Sequence, residues 1–269
     1  MITRLPTYFL SHGGGPWPYM KSELGDACDK LETSIQSVRD ELGIRPTAVL
    51  VISGHWECSE FTVSANARPP MLYDYYGFPA HTYEVRYEAP GAPALAARVQ
   101  ALLQAGGIDC LSDEDRGFDH GTFTVMDSMF PEADVPILQL SLRLGFDPMI
   151  HMHVGSLLAP LREEGVLILG SGLSYHNLRM MGPAAAEPSK QFDAWLQEVL
   201  VESSPSERQR KIVYWSAAPS ARLAHPREDH LMPLMVVLGA ANDDPATCIY
   251  HEEDFLGSLT VSSFRFGAA

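Results

Sequence analysis

Short apolar runs alternate with longer amphipathic stretches along most of this chain. This alternation is typical of βα units arranged around a largely parallel sheet. The run 47–52 is almost continuously apolar and β-branched, as expected of a strand that is covered on both faces. The predicted strands are 7–10, 47–52, 136–141 and 166–169. The predicted helices are 21–42, 92–105, 148–164, 192–202 and 226–238.

Three stretches interrupt this pattern and are predicted to be loops. Residues 183–190 and 203–207 have loop-like compositions, but each is too short to link two domains. Residues 66–90 are rich in proline and tyrosine and are expected to form a long loop over the sheet edge, where such loops are often functional. The chain is therefore predicted to be a single α/β domain with a central, mostly parallel or mixed sheet and helices on both faces.

The amino-acid composition limits the kinds of molecule that the protein can bind. The chain has 269 residues and a net charge of −15, so it would repel nucleic acids and anionic membrane surfaces. Its four cysteines form no Cys-x-x-Cys pair, which fits a reducing compartment. The first ten residues contain too short an apolar run for a signal peptide, and no window is apolar enough to span a bilayer. We expect a cytoplasmic protein, monomeric or homodimeric, that acts on a small molecule.

Three histidines follow predicted strands. His12 and His55 each come just beyond the carboxyl end of one strand, and His176 comes a few residues after another. Ligands bind at that edge of open α/β sheets, so these imidazoles could converge although they are far apart in sequence. His230 lies near the start of a predicted helix, in the segment that begins at His225. A histidine cluster without thiolates suits iron, zinc, copper or nickel better than magnesium or calcium.

Other histidines have weaker support as metal ligands. His225 and His230 are about 140° apart around an ideal helix, so only one of them can face an ion from that helix. His151 and His153 would point in nearly opposite directions, which indicates surface or packing positions. His120 follows an aspartate in a glycine-bounded turn, where it is either an oriented acid or base or a ring packed beside an Asx turn.

The three glycines after His12 suggest two other kinds of site, and the sequence argues against both. A His-Gly-Gly-Gly segment forms the oxyanion loop of lipases and esterases. Those enzymes also need the elbow Gly-x-Ser-x-Gly, and in residues 172–176 His176 stands where the last glycine belongs. A phosphate-binding loop would need a Gly-Lys-Ser/Thr sequence after the glycines, and none follows.

Six distinctive segments are spread from residue 11 to residue 234. They are Ser-His-Gly-Gly-Gly-Pro (11–16), Ser-Gly-His-Trp-Glu (53–57), Tyr-Asp-Tyr-Tyr-Gly-Phe-Pro (73–79), Gly-Phe-Asp-His-Gly-Thr-Phe (117–123), Gly-Ser-Gly-Leu-Ser-Tyr-His-Asn (170–177) and His-Pro-Arg-Glu-Asp-His-Leu-Met-Pro-Leu (225–234). In this order they resemble the class III (LigB-type) extradiol ring-cleavage dioxygenases, specifically the 4,5-DOPA dioxygenase-like branch. The resemblance covers most of the chain.

The resemblance implies one catalytic domain over residues 1–269, with a single non-haem Fe(II), or zinc in its place, at the carboxyl ends of the strands. The matching positions make His12, His55 and His230 the metal ligands. They make His176 the acid/base histidine beside the metal and place His120, a second catalytic residue, near the bound substrate. Relatives more often have Gly-Ser or Gly-Ala after the first histidine, so the triple glycine is expected to alter the width of the pocket.

The predicted function is insertion of O2 into a small, DOPA-like catechol to give a ring-opened semialdehyde. Three imidazoles on one face of an ion leave positions open for both reactants, and His176 would act first as base and then as acid. Tyr75 and Tyr76 are predicted to contact the flat substrate ring at the pocket mouth, unless residues 73–87 instead pack their rings into the core. Two other functions stay open, a zinc hydrolase on the same scaffold and a metal-binding protein without turnover.

The substituent on the catechol is not identified by any residue. Arg179, Arg222 and Arg227 lie near the matching segments and could pair with a substrate carboxylate. Exposed arginines more often pair with aspartate or glutamate, so both interpretations remain. The sequence therefore leaves the charge of the substrate undecided.

Overall fold

A central mixed sheet organises the computed structural model, which describes residues 4–268. Its strands are β1 (Thr7–Ser11), β2 (Ala48–Cys58), β3 (Phe61–Ser64), β4 (Cys110–Asp113), β5 (Ile137–Arg143), β6 (Val166–Gly172), β7 (Ala246–Phe255) and β8 (Leu259–Phe266). They lie in the order β4-β3-β5-β2-β6-β1-β8-β7. The four central strands, from β5 to β1, are parallel, whereas β3 pairs antiparallel with β5 and β8 pairs antiparallel with β1.

Helices cover both faces of this sheet. They are α1 (Lys21–Leu24), α2 (Asp29–Leu42), α3 (Pro93–Ala105), α4 (His120–Met129), α5 (Pro148–Leu158), α6 (Ala186–Gln197), α7 (Pro205–Ile212), α8 (Ala221–Ala224) and α9 (Met232–Ala241). All ten residues of α9 are buried, which explains why this helix is apolar on every side. In the part of the chain that the structure describes, no helix is long and apolar enough to cross a membrane.

Strand β6 shows how the two faces are arranged. Side chains alternate between faces along a strand, so neighbouring residues of β6 contact different layers. A Cβ at Gly170 or Gly172 would touch the backbone just before or within α9, at Pro233 or His230. The Ser171 hydroxyl between them instead donates a hydrogen bond to a carbonyl of α4. Helices α9 and α4 therefore pack on opposite faces, and both approach the carboxyl end of β6.

The predicted α/β fold is confirmed, and each of the four predicted strands is present. Two predicted helices are interrupted. The helix predicted over 21–42 divides into α1 and α2 at Gly25, whose φ of 59° is left-handed and ends the first turn. The helix predicted over 148–164 ends as α5 at Leu158 and continues as a 3₁₀ helix at Ala159–Glu164, with a proline in its first turn.

Other boundaries were predicted wrongly. Residues 183–190 were expected to form a loop, but they contain a 3₁₀ turn and the start of α6, because proline is tolerated in the first turn of a helix. Residues 203–207 enter α7 through a capping box between Ser204 and Glu207. The helix predicted over 226–238 begins only at Met232, so His230 lies in a turn before α9. Residues 66–90 are irregular, as predicted, apart from the 3₁₀ turn Ala80–Tyr83.

Candidate metal centre and adjoining cavity

Three histidines meet at the carboxyl ends of the central parallel strands. His12 follows β1 and donates its backbone N–H to the carbonyl of Gly172, 2.8 Å away. His55 lies inside β2 rather than just beyond it, in the stretch where the pairing of this strand with β5 shifts register. His230 precedes α9, and its carbonyl accepts a hydrogen bond from Leu173. The residues therefore come from three separate segments that the parallel sheet brings to one edge.

The Nε2 atoms of these three residues converge. His55 Nε2 lies 3.1 Å from His12 Nε2 and 3.1 Å from His230 Nε2. Two nitrogens bound to one ion at about 2.05 Å would be about 2.9 Å apart at 90° and about 3.3 Å apart at the tetrahedral angle. The observed separations lie between these values, so the triad fits a transition metal ion.

Hydrogen bonds at the opposite ring nitrogens fix which atoms face the centre. Ser171 donates its hydroxyl proton to Gly121, so it must accept the Nδ1 proton of His12, at 2.9 Å. The Asp229 carboxylate accepts from Nδ1 of His230 at 2.6 Å. Both imidazoles therefore present an unprotonated Nε2 to the centre, which is the form that binds a metal.

This arrangement leaves lone pairs facing each other. His55 Nε2 carries at most one proton and contacts two unprotonated nitrogens, so at most one of its two short contacts can be a hydrogen bond. The other contact then joins two lone pairs, which repel unless a cation lies between them. The chemistry of the donor set thus fits a bound metal ion better than an internal hydrogen-bond network.

Burial also keeps the triad neutral. Burial, followed by the neighbouring imidazoles, holds the pKa of His12 and His230 well below the usual value for histidine. Burial and the nearby His120 lower the pKa of His55 to about 3, and Asp74 opposes this shift only in part. All three rings are therefore neutral at neutral pH, with one nitrogen each free of a proton and able to bind a metal.

Two glycines allow the backbone to come close to the triad. A Cβ at Gly121 would lie 2.7 Å from Ser53 Oγ and 2.9 Å from His55 Cδ2. A Cβ at Gly172 would lie 2.1 Å from the carbonyl oxygen of His230. A larger residue at either position would displace a member of the triad, because close-packed interiors cannot absorb such overlaps.

His176 lies beside the triad without joining it. Its ring stacks on that of His230, and its Nδ1 lies 3.8 Å from Asp229 Oδ2. Burial lowers the pKa of His176, while the charge of Asp229 opposes that change. The ring is therefore neutral near pH 7 and can accept a proton.

His120 and Asp119 have separate roles, one at the cavity and the other as a helix cap. Asp119 caps α4 by accepting a hydrogen bond from the backbone of Thr122, which is the Asx-type interaction that the sequence allowed. His120 lines the cavity, and its ring lies 3.9 Å from that of His55, measured between centroids. The Asx-type cap and an oriented ring are thus both present, and the carboxylate that holds the His120 ring is not that of the neighbouring Asp119.

Asp74 is the carboxylate partner of His120, and sequence reasoning assigned it no role. Its Oδ1 accepts hydrogen bonds of 2.9 Å from both Nδ1 and the backbone N–H of His120, and its Oδ2 lies 3.5 Å from His55 Nδ1. Although burial raises the pKa of Asp74, the bonds from His120 outweigh it and lower the pKa overall. The one signal in the sequence was its place inside the segment 73–79.

The tyrosine-rich segment divides between the cavity and the core. Tyr75 is buried and donates its hydroxyl proton to the carbonyl of Thr82, and it also lines the cavity. Tyr76 also lines the cavity but is 91% exposed. Tyr87 lies in the core and donates to backbone carbonyls of α4 and the residue after it. The pocket-mouth and core interpretations therefore each describe part of residues 73–87.

A cavity of about 450 Å³ opens beside the triad. His12, His55 and His230 lie at one end of it, together with His120 and His176. The three glycines at 13–15 form part of its wall, and a Cβ at Gly15 would overlap the ring of Phe78. A cavity of this size accommodates a small aromatic molecule against the candidate metal centre.

Three further residues singled out in the sequence lie outside this cavity. His225 is fully buried and donates a hydrogen bond from Nε2 to the carbonyl of Ser174, so it supports the loop after β6. Arg222 pairs with Glu228, and Arg227 pairs with Glu57. The common pairing of exposed arginines with carboxylates therefore describes both arginines.

Comparison with protein families agrees with the site geometry. A family model described as the catalytic LigB subunit of aromatic ring-opening dioxygenase matches residues 6–264. The chain is 37% identical over 265 residues to a "4,5-DOPA dioxygenase extradiol" of Beta vulgaris, covering 97% of this chain and 96% of that protein. It is 34% identical to a protein of the same name from Escherichia coli K12, covering 98% and 96%.

Two other relatives extend this likeness. "Dioxygenase tasH" of Hapsidospora irregularis is 37% identical, with 98% of this chain and 86% of that protein covered. Among solved structures, an uncharacterized protein from Escherichia coli K12 superposes with a TM-score of 0.76 and 31% sequence identity, covering 98% of this chain and all of that one. The likeness in sequence to tasH and the likeness in fold to the solved structure each extend over nearly the whole chain.

Proposed function

Because this chain belongs to the LigB family of aromatic ring-opening dioxygenases and is an extradiol enzyme of that class, we propose that it uses Fe(II) to cleave a small catechol. The substrate would carry the dihydroxylated ring of DOPA, and the product would be a ring-opened semialdehyde acid. The observation that carries this proposal is the convergence of three imidazole Nε2 atoms at the end of a cavity suited to an aromatic ring.

His12, His55 and His230 would hold the metal, because their Nε2 atoms are unprotonated, buried and directed at one centre. When bound, Fe(II) supplies a redox-active Lewis acid with open positions at which a catechol and O2 can be brought together. Zinc would fit the same three nitrogens but has no redox chemistry. The proposal therefore depends on which metal the protein carries in its active form.

His176 would move the protons of the reaction. Its Nδ1 is directed towards Asp229, which leaves Nε2 to exchange a proton with the substrate. A neutral imidazole can remove the proton of a catechol hydroxyl as the ring binds, and the imidazolium so formed can return that proton to an oxygen later in the reaction. One residue then serves as base and as acid without external buffer.

His120 would orient the substrate. Asp74 holds its Nδ1 proton, so the remaining Nε2 is available to accept a hydrogen bond from a substrate hydroxyl. Tyr75 and Tyr76 would contact the substrate ring, because both line the cavity and aromatic rings stack on flat ligands. These contacts would place one edge of the catechol towards the triad.

The overall reaction balances without a reductant. The bond between a hydroxyl-bearing ring carbon and its carbon neighbour outside the diol breaks, and one oxygen atom enters at each of the two ends. One end becomes a carboxylic acid and the other an aldehyde, so the ring supplies all the electrons that reduce O2. The expected stoichiometry is one O2 per catechol.

The test is reconstitution with Fe(II) in the absence of oxygen, followed by a catechol and air-saturated buffer. We expect a yellow semialdehyde product and consumption of one O2 per product, and ¹⁸O2 should label both new oxygen positions. Zinc-loaded protein is the matched control and should not open the ring. Fully Fe(II)-loaded protein that cleaves no catechol would contradict the proposal.

Neither alternative function is favoured by a specific observation at the site. A metal-binding protein without turnover would need no accessible pocket, whereas a cavity adjoins the triad here. A zinc hydrolase would use the same three nitrogens, but the family of this chain is one of ring-opening dioxygenases. A cytoplasmic location remains a prediction, consistent with the four cysteines being free thiols.

A further inference from the structure

The cavity beside the triad has two chemically different ends. The imidazoles and Asp74 form the polar end, where the diol would bind. Most of the remaining wall consists of aliphatic and aromatic side chains. It also includes the amide of Asn177, which already donates to the carbonyl of Leu223 and accepts from the backbone N–H of Arg179. This apolar end consists of Leu173, Leu178, Met181, Phe255, Leu256 and Leu259.

Part of the apolar end is open to solvent. Leu178 is 73% exposed, Met181 40% and Leu256 38%, and the exposed Tyr76 stands on the same cavity wall. Large apolar side chains exposed together around one opening often mark a surface that covers an apolar ligand. A ring substituent that leaves the polar end would pass between these residues.

The cavity offers no counter-ion to an acidic substituent. Of residues 4–268, no lysine or arginine lines it, and Asp74 is its only carboxylate. Arg222 and Arg227 are engaged by Glu228 and Glu57, as described above, and Arg179 is not part of the wall. A substituent carboxylate held against these apolar side chains would lose part of its hydration without gaining a cation.

We infer that the natural substrate is a catechol with an uncharged, apolar substituent, such as an alkyl or aryl group, rather than an amino acid or an acid. The inference rests on the proposed function and narrows it, because it concerns the group that extends from the diol. The diol occupies the polar end beside His120 and His176. The substituent lies against Leu178, Met181 and Leu256.

The experiment compares catechols that differ in one ring substituent, including an apolar and an anionic substituent of equal chain length. Fe(II)-loaded enzyme is assayed with unsubstituted catechol, 4-propylcatechol, 3-(3,4-dihydroxyphenyl)propionate and L-DOPA. Each buried CH2 contributes about a fourfold gain, so kcat/KM for 4-propylcatechol should exceed that for catechol by tenfold or more. It should exceed the values for the propionate and for L-DOPA by at least the same factor. Dissociation constants measured by calorimetry without oxygen should follow the same order.

Two failures can be told apart. If none of the four compounds is cleaved, the proposed function fails and the inference fails with it. If catechol is cleaved but the propionate or L-DOPA matches 4-propylcatechol in kcat/KM, the proposed function stands and the inference is overturned.

A charge placed on the opening tests the position of the substituent. Leu178→Arg should raise kcat/KM for the propionate about fivefold, the scale of an exposed ion pair, and should lower the preference for 4-propylcatechol. Leu144→Arg is the matched control, because Leu144 is 51% exposed and lies outside the cavity. An equal gain in both variants would show that net charge, and not the apolar end of the cavity, controls the effect, which would overturn the proposed position.

Discussion

The imidazoles of His176 and His230 lie face to face, with ring centroids 3.4 Å apart and an interplanar angle of 16°. Only His230 directs a nitrogen at the other members of the triad, since its Nε2 lies 3.1 Å from that of His55. The stack therefore sets a ring that can exchange protons directly beside a ring that can hold an ion. The rings of His12 and His230 are held by their own hydrogen bonds to Ser171 and Asp229, so we expect them to keep their positions without the His176 ring.

Replacement of His176 should separate metal binding from turnover. We expect His176→Ala to keep its iron and to lose about 10²- to 10⁴-fold in kcat, the usual contribution of a positioned acid or base. Iron content and single-substrate kinetics measure the two effects. His153→Ala, at an exposed position of α5, is the control and should change neither. If His176→Ala loses its iron while His230→Ala retains it, the two roles have been exchanged.

Asp74 should act through the two histidines that it contacts. Asp74→Asn removes the charge that holds His120 and faces His55, so we expect a 10- to 100-fold loss in kcat/KM, typical of groups that orient metal ligands. Kinetics and a metal competition titration would measure the change. Asp127→Asn is the control, because Asp127 is also partly buried but binds Tyr19 away from the cavity. Equal losses in both variants would argue against a specific role for Asp74.

Gly121 should be intolerant of even one added methyl group. The Cβ of Gly121→Ala would overlap His55 and Ser53, so we expect reduced metal affinity and a destabilisation of about 1 to 3 kcal/mol. Gly14→Ala provides the control, because Gly14 lines the same cavity and its Cβ would have no heavy atom within 4 Å. Metal titration and thermal melting of both variants give the comparison. Normal iron binding in Gly121→Ala would show that the backbone of α4 can move away from the triad.

The convergence of the triad was predictable because of a general property of parallel sheets. His12 follows β1 and His55 lies near the carboxyl end of β2. These two parallel strands flank β6, so their carboxyl ends lie at the same edge of the sheet. The position of His230 followed less directly, because the helix predicted from residue 226 begins only at Met232. Its convergence with the others depends on contacts between the loop after β6 and the turn before α9, as in the bond from Leu173 to His230.

Asp74 could not be assigned from the sequence for a different reason. It lies in an irregular segment, and its partner His120 is 46 residues away in another element. No periodicity connects two such positions, so the pattern of residues along the chain did not point to this pair. The β7–β8 hairpin also escaped prediction, because β7 lies at the sheet edge and mixes exposed and buried residues without a continuous apolar run.

His225 should make stability depend on pH below neutrality. Burial is the main cause that lowers its pKa from 6.5 to about 4. The unfolded chain therefore binds this proton at a higher pH than the folded protein does. The contribution of neutral His225 to the free energy of unfolding is complete above about pH 6.5 and is lost as the pH falls towards 4. The loss at the acid end would be about 3 kcal/mol.

The pH dependence of His225 can be isolated by difference. His225→Gln keeps a donor for the carbonyl of Ser174 but cannot titrate. Unfolding free energies of both proteins, at equal metal load, should be measured from pH 7 to pH 4. We expect the wild type to lose more stability than the variant across this range. Parallel curves would mean that His225 titrates equally in the folded and unfolded states.

Tyr75 and Tyr76 should respond to substitution in opposite ways, although they are adjacent. Tyr76 is 91% exposed on the cavity wall, so Tyr76→Ala should alter the ratio of kcat/KM between two catechols and leave the melting temperature nearly unchanged. Tyr75 is buried against Phe78, Tyr83 and His120, and its hydroxyl binds the carbonyl of Thr82.

Truncation at Tyr75 should therefore cost stability, about 3 to 5 kcal/mol for Tyr75→Ala, as for other large aromatic residues removed from a core. Tyr75→Phe separates the two contributions of this residue, because it keeps the ring and removes only the bond to Thr82, for a loss of about 1 kcal/mol. Melting temperatures and kinetics with catechol and 4-propylcatechol would be measured for all three variants. A large fall in melting temperature for Tyr76→Ala with an unchanged substrate ratio would move Tyr76 from the cavity wall to the core and leave the choice of substrate to the leucines around the opening.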